Sequence, residues 1–117
     1  MRQRIFALLA LLLLAGCASS DPAPTAQLKL TEQAVEQARA VGAGSEQAEL
    51  RLAEEELDAA HKAFQRQRFR KARMLAERAE LDARLAEAQT LSGKSRAQLD
   101  ELKANIVRLR KELRDLQ

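Results

Sequence analysis

The stretch Leu50–Ala86, LRLAEEELDAAHKAFQRQRFRKARMLAERAELDARLA, decides the fold. Leu50, Ala53, Leu57, Ala60 and Phe64 recur at spacings of three and four, the single apolar stripe of a helix. Phe69, Ala72, Ala76, Ala79, Ala83 and Ala86 form a second stripe of the same kind. Folding the chain back between Phe64 and Phe69 pairs 64 with 69, 60 with 72, 57 with 76, 53 with 79 and 50 with 83. The numbers in each pair sum to 132 or 133, as an antiparallel helical hairpin requires. On one continuous helix Arg66 and Arg70 would repel at i,i+4, so the turn falls at Gln65–Arg68. Alanine buries little area, so Leu50, Leu57 and the two phenylalanines must supply much of the apolar burial, and a further helix must cover the hairpin.

Working outward, Leu28, Thr31, Val35 and Ala38 form the stripe of a short first helix that can supply that cover. VGAGS (Val41–Ser45) separates it from the hairpin, with glycines for a helix C-cap and Ser45–Glu46 for the next N-cap. Gln27–Gln117 has no proline and is dense in Ala, Leu, Glu, Gln, Arg and Lys, the strongest helix formers. The expected fold is all-α: a short helix (27–41), then an alanine-rich antiparallel hairpin (46–65 and 69–115) whose last helix is long and coiled-coil-like. One glycine in TLSGKS, Gly93, costs about 1 kcal/mol against alanine, and the helix is expected to run through it.

The end of that helix has a different pattern. Leu99, Leu102, Ile106, Leu109, Leu113 and Leu116 alternate strictly by four and three, as a and d positions do. A helix from Phe69 to Gln117 is ~73 Å long at 1.5 Å per residue, and the hairpin has nothing long enough to cover its far end. Four readings stay open for this seam: frayed, folded back after Gly93, self-associating, or a solvated amphipathic tail.

The N-terminus reads as an address. Arg2 and Arg4 precede an uncharged run, Ile5–Ala15, which is too short for a bilayer needing about 20 apolar residues and has the layout of a secretory signal. Leu14-Ala15-Gly16 before Cys17, the chain's only cysteine, resembles the lipobox of bacterial lipoproteins, in which the cysteine is lipidated and becomes the new N-terminus. The alternative is a free thiol beside a plain signal, a liability in an exported protein. Two or three acyl chains anchor stably where one holds marginally. Ala18 follows Cys17 where an inner-membrane retention signal usually has Asp, so the resemblance implies the outer membrane, facing the periplasm. ASSDPAPTAQ reads as a tether; Ala18–Ala26 reaches ~28 Å at about 3.1 Å per residue. The expected organisation is thus signal 1–16, lipidated Cys17 and tether 17–26, and helical domain 27–117. Without Arg2 and Arg4 the 20 basic residues become 18 against 17 acidic, so the net charge falls from +3 to +1. That balance makes no case for nucleic acid, and neither Tyr nor Trp exists to stack on bases.

AVEQARAVGA, LRLAEEELDAAHKAF and RFRKARMLAERAELDARLAEAQ together resemble the bacterial lipoproteins carrying domain of unknown function 4398. The matching positions are Gly42, Ala43, Leu57, Ala60, Phe69, Ala72, Leu75, Ala76, Glu77, Ala79, Asp82, Ala83, Leu85, Ala86 and Glu87, within about Leu30 to Arg114. The family's usual Gly-Asp-Tyr turn is QRQRF here, and a proline common after its first turn is absent. The resemblance implies an envelope address and a helical fold, and no catalytic residues. The hairpin also resembles tetratricopeptide helices, but a stable solenoid needs three or more repeats.

Chemistry is scarce. His61 is the single histidine, so with one cysteine neither a metal site nor a nucleophilic triad can be assembled, and no cofactor is expected. Glu54, Glu55 and Glu56 are ~100° apart around a helix and read as a solvated face, with Asp58 and Lys62 an i,i+4 pair. No phosphate-cradling glycine loop occurs. An enzyme is not expected. Arg66, Arg68, Arg70, Lys71 and Arg73 make the one local charge asymmetry, either a solvated turn or a surface for anionic lipid, peptidoglycan or an acidic protein. Two functions follow: an outer-membrane-anchored envelope adaptor, or a structural spacer that self-associates through the seam. No terminal lysine exists for covalent attachment to the wall as in the murein lipoprotein, which favours the adaptor. Chaperone-like binding would need a larger apolar groove than a hairpin offers.

Overall fold

A computed structural model describes residues 22–116; the expected signal, the lipobox and Cys17 lie outside the described residues. Three helices follow in order, α1 (Thr25–Ala40), α2 (Ala48–Gln65) and α3 (Phe69–Asp115), with no strand among the described residues. Hydrogen bonds align α1 in parallel with α3. The Arg73 guanidinium donates to the Pro22 carbonyl at one end and Lys94 Nζ to the Val41 carbonyl at the other. Between them α2 runs antiparallel, from Gln47 beside Thr90 to Phe64 beside Phe69. The body is therefore an up-down-up bundle, and α3 continues past it as a single helix, unbroken at Gly93.

The helical hairpin packs on alanine. Leu50, Ala53, Ala60, Ala63, Ala72, Ala76, Ala79, Ala83 and Ala86 are all buried, and α1 closes the bundle with Leu28, Thr31, Val35 and Ala38. Leu57, half-buried, borders both clusters of this core. Phe64 and Phe69 are half-buried too, their rings tilted at 52° and 5.6 Å apart, a staple across the turn. Among the described residues Thr31 is the one buried polar side chain, and its hydroxyl lies 2.9 Å from the carbonyls of both Gln27 and Ala76. The contact to Ala76 fixes the register of α1 on α3, because the Cβ of alanine is small enough to leave the α3 backbone within reach.

Both turns are Schellman caps. At the end of α1, Ala43 N–H donates to the Ala38 carbonyl (2.9 Å) and Gly42 N–H to the Arg39 carbonyl (2.8 Å), with Gly42 at φ 93°. Ala43 is buried against Val35 and Ala38, the apolar contact that accompanies this motif. At the end of α2 the same bonds run from Arg68 to Ala63 and from Gln67 to Phe64, and the left-handed position falls to Gln67 at φ 57°.

Three expected boundaries are corrected. Helix α1 begins at Thr25, not Gln27, directly after Pro24, since a proline disfavours helical conformation in the residue before it. It ends at Ala40. The tether thereby loses Thr25 and Ala26, and Pro22 is already held by Arg73. Helix α2 starts at Ala48 instead of Glu46, and Ser45 is not its N-cap. Gln47 takes that position without a capping bond, because its amide is engaged by the Thr90 hydroxyl of α3 at 3.1 Å.

Two stability effects follow. Gln67→Gly relieves the left-handed strain and should raise the stability by about 1 kcal/mol, seen as an increase of roughly 4–8 °C in the thermal midpoint. Ala79→Leu, by contrast, overpacks the seam between α2 and α3, and chemical denaturation should register a loss of about 1–3 kcal/mol.

Candidate functional site

Two surfaces hold the residues that the sequence marks for interaction, and the bundle places them at opposite ends. Arg66, Arg68, Arg70 and Lys71 are exposed around the α2–α3 turn, and no salt bridge among the described residues engages them. No acidic residue occurs between Asp58 and Glu77, so the α2–α3 turn is basic along its whole length. Arg73 differs: it is half-buried and holds the Pro22 carbonyl at 3.0 Å. The chain thus enters the fold beside its basic turn.

The other surface is the overhang. From Leu91 to Leu116 no residue is buried, and only Asn105 is half-buried. Beyond Lys94, the last residue tied to α1, α3 extends ~32 Å past the bundle at 1.5 Å per residue. Leu99, Leu102, Ile106, Leu109 and Leu113 all lie on it, 42–64 % exposed, with Leu116 at 83 %. Among the described residues the seam neither folds back nor finds a partner. A second apolar exposure was not singled out from the sequence. Met74, Leu81 and Leu85 lie on the side of α3 turned away from the hairpin, and Leu81 is 67 % exposed. Their spacing of seven and four was visible, but the alanine stripe on the same helix is longer.

The three consecutive glutamates diverge, but they are not a solvated face. Glu54 accepts from Arg39 of α1 at 2.6 Å, Glu56 pairs with Arg78 of α3 at 2.8 Å, and Glu55 lies 3.9 Å from Arg51 on its own helix. One turn of α2 is therefore tied to both neighbours, and the Glu56 side chain is only 12 % exposed. Asp58 does pair with Lys62. His61 Nε2 lies 3.0 Å from Glu32 Oε1 across a shallow α1–α2 groove of about 400 Å³ lined also by Arg39, Glu54 and Asp58. The groove joins α1 to α2; among the described residues no group of three or more His, Cys, Asp or Glu side chains could hold a metal ion.

Two carboxylates titrate below their usual range. Its own backbone amide, then the Gln89 amide, stabilises ionised Glu49 at the start of α2. Glu80 is held down first by the Gln27 amide of α1, at 2.7 Å, and then by Arg84. A depressed folded value means that Glu80 stabilises the fold above its ordinary pKa of 4.5 and loses that contribution as pH falls through the lower folded value. Comparing urea midpoints from about pH 6 down to pH 3, the Glu80→Gln variant should lose less stability on acidification than the unsubstituted chain.

The described residues thus form a small helical module, and none of their helices is long and apolar enough to cross a membrane. The model of the domain of unknown function DUF4398 matches residues 26–102, and the chain belongs to that family. The match ends earlier than the resemblance to Arg114 suggested, leaving the distal seam outside it. A DUF4398 family protein from Pseudomonas aeruginosa PAO1, known from a crystal structure at 2.47 Å, is similar over 82 % of this chain and 100 % of its own. It shares 53 % identity, with a TM-score of 0.80. No curated protein matches the chain.

Proposed function

We propose that the protein is a non-catalytic, lipid-anchored adaptor of the cell envelope, attached through Cys17 to the outer membrane and facing the periplasm. The observation that carries this reading is the polarity of the fold. Pro22 and the basic turn share one end, and the uncovered part of α3 leaves from the other. Five residues from Cys17 to Pro22 span at most roughly 18 Å, so a lipid on Cys17 keeps the turn close to the bilayer surface. Arg66, Arg68, Arg70 and Lys71 then face anionic head groups, each contributing about 1 kcal/mol near such a surface. The outer faces of α1 and α2 are left to a protein or peptidoglycan partner. The spacer reading, in which copies associate with one another, draws its support from the exposed seam on α3.

In-cell photo-crosslinking with probes at Arg70 and at Arg110, combined with membrane fractionation, tests the adaptor. A lipid or heterologous envelope adduct from either probe is the expected result, and Cys17→Ala should release the chain from the membrane fraction. Adducts between copies of the chain alone would leave only the spacer, and an unchanged membrane fraction for Cys17→Ala would remove the anchor.

A further inference from the structure

The heptad seam of Leu99, Leu102, Ile106, Leu109, Leu113 and Leu116 does not stop where the overhang begins. Stepping back by the same alternation of three and four from Leu99 gives Ser95, Ser92, Ala88, Leu85 and Leu81, all exposed. At about 100° per residue Leu81, Leu85 and Ala88 project roughly opposite to Ala76, Ala79, Ala83 and Ala86, which face the hairpin. One stripe thus runs ~53 Å along the outer side of α3, at 1.5 Å per residue, with two serine layers flanking Gly93. It spans five heptads and is apolar at every position except Ser92 and Ser95. A helix laid on this stripe meets neither α1 nor α2, because both pack on the opposite side.

We infer that a second copy of this chain covers the stripe, forming a parallel, in-register, two-stranded coiled coil through α3. A second α3 carries the same heptad pattern and so matches this stripe over its full length, while charge sets the direction of the pair. Arg96, Lys103 and Arg110 fill the e positions of the overhang, and Gln98, Asn105 and Glu112 fill the g positions. An antiparallel pair places e against e′ and sets this basic row against itself. A parallel pair places e against g′, so Lys103 meets Gln98′ and Arg110 meets Asn105′, and along the overhang no like charges are opposed; Asp82 meets Glu77′ only at the bundle end. Leucine at every d position of the overhang also disfavours the tetramers that isoleucine there promotes. The bundles then lie on the outside of the pair, with both basic turns at the same end. The inference rests on α3 alone and stands apart from the lipid on Cys17.

Single cysteines test it in the full-length chain carrying Cys17→Ser, purified in detergent and mildly oxidised. Leu102→Cys and Leu109→Cys should each give a disulfide-linked species at twice the 13.0 kDa of the chain. Arg108→Cys, at a c position facing away from the seam, should not. Adding Leu99→Asp and Ile106→Asp should lower the Leu109→Cys adduct at least tenfold without loss of helical circular dichroism. A link from only one of the two d positions indicates an antiparallel pair and overturns the proposal. So do the absence of both links and an equally strong link from Arg108→Cys.

Discussion

The close approach of α2 to α3 is the constraint on which the rest of the structure depends. It exists because alanine occupies the facing positions: Ala53 and Ala60 on one helix, Ala72, Ala76, Ala79 and Ala83 on the other, all with no exposed surface. Side chains this small bring the two backbones near each other, and they also leave the α3 main chain open to a third partner. The Thr31 hydroxyl uses that opening to reach the Ala76 carbonyl. A leucine at 76 would both separate the helices and shield the carbonyl that registers α1. The ion pairs of Glu54 and Glu56 reinforce the same three-helix junction from its flanks. Their arginine partners, Arg39 and Arg78, are more than half exposed, so these pairs contribute less than the packing beneath them.

Much of this was legible in the sequence, for a physical reason. Helical periodicity records which face is buried, so the stripes of α1, α2 and α3 could be read with their pairing, and the turn at Gln65–Arg68 followed from the arithmetic of the pairs. What could not be read depends on contacts between residues far apart in the chain. Gln47 replaces Ser45 at the head of α2 because Thr90 engages its amide. Glu54 and Glu56 look solvated until Arg39 and Arg78 arrive from the neighbouring helices. Buried Ala43 and Ala63 fell outside the simple stripes, the first because it belongs to a cap and the second because it sits beside the turn.

The candidate surfaces divide in the same way. Composition revealed the basic turn, and heptad spacing revealed the leucine seam, since both signals are local. Their position at opposite ends of one rod was not local, and neither was the entry of the chain beside the turn through Arg73 and Pro22. The apolar strip formed by Leu81 and Leu85 was hidden for another reason. A helix that carries two stripes shows a blurred period, and the longer alanine stripe dominates it.

Gly93 and Lys94 give the rod a mechanical character. Lys94 ties α3 to the end of α1 through the Val41 carbonyl at 2.6 Å. Immediately before it, Gly93 has nothing near its Cα where a side chain would project. The last clamp on α3 and its one glycine are thus neighbours, and any bend there acts on everything distal as on a lever. The arm from Ser95 to Asp115 is ~32 Å long at 1.5 Å per residue. A bend of only about 10° at this fulcrum sweeps its tip through roughly 5–6 Å, about one helical turn. Small angular strain at the rim of the bundle is thereby converted into a displacement as large as a coiled-coil layer spacing.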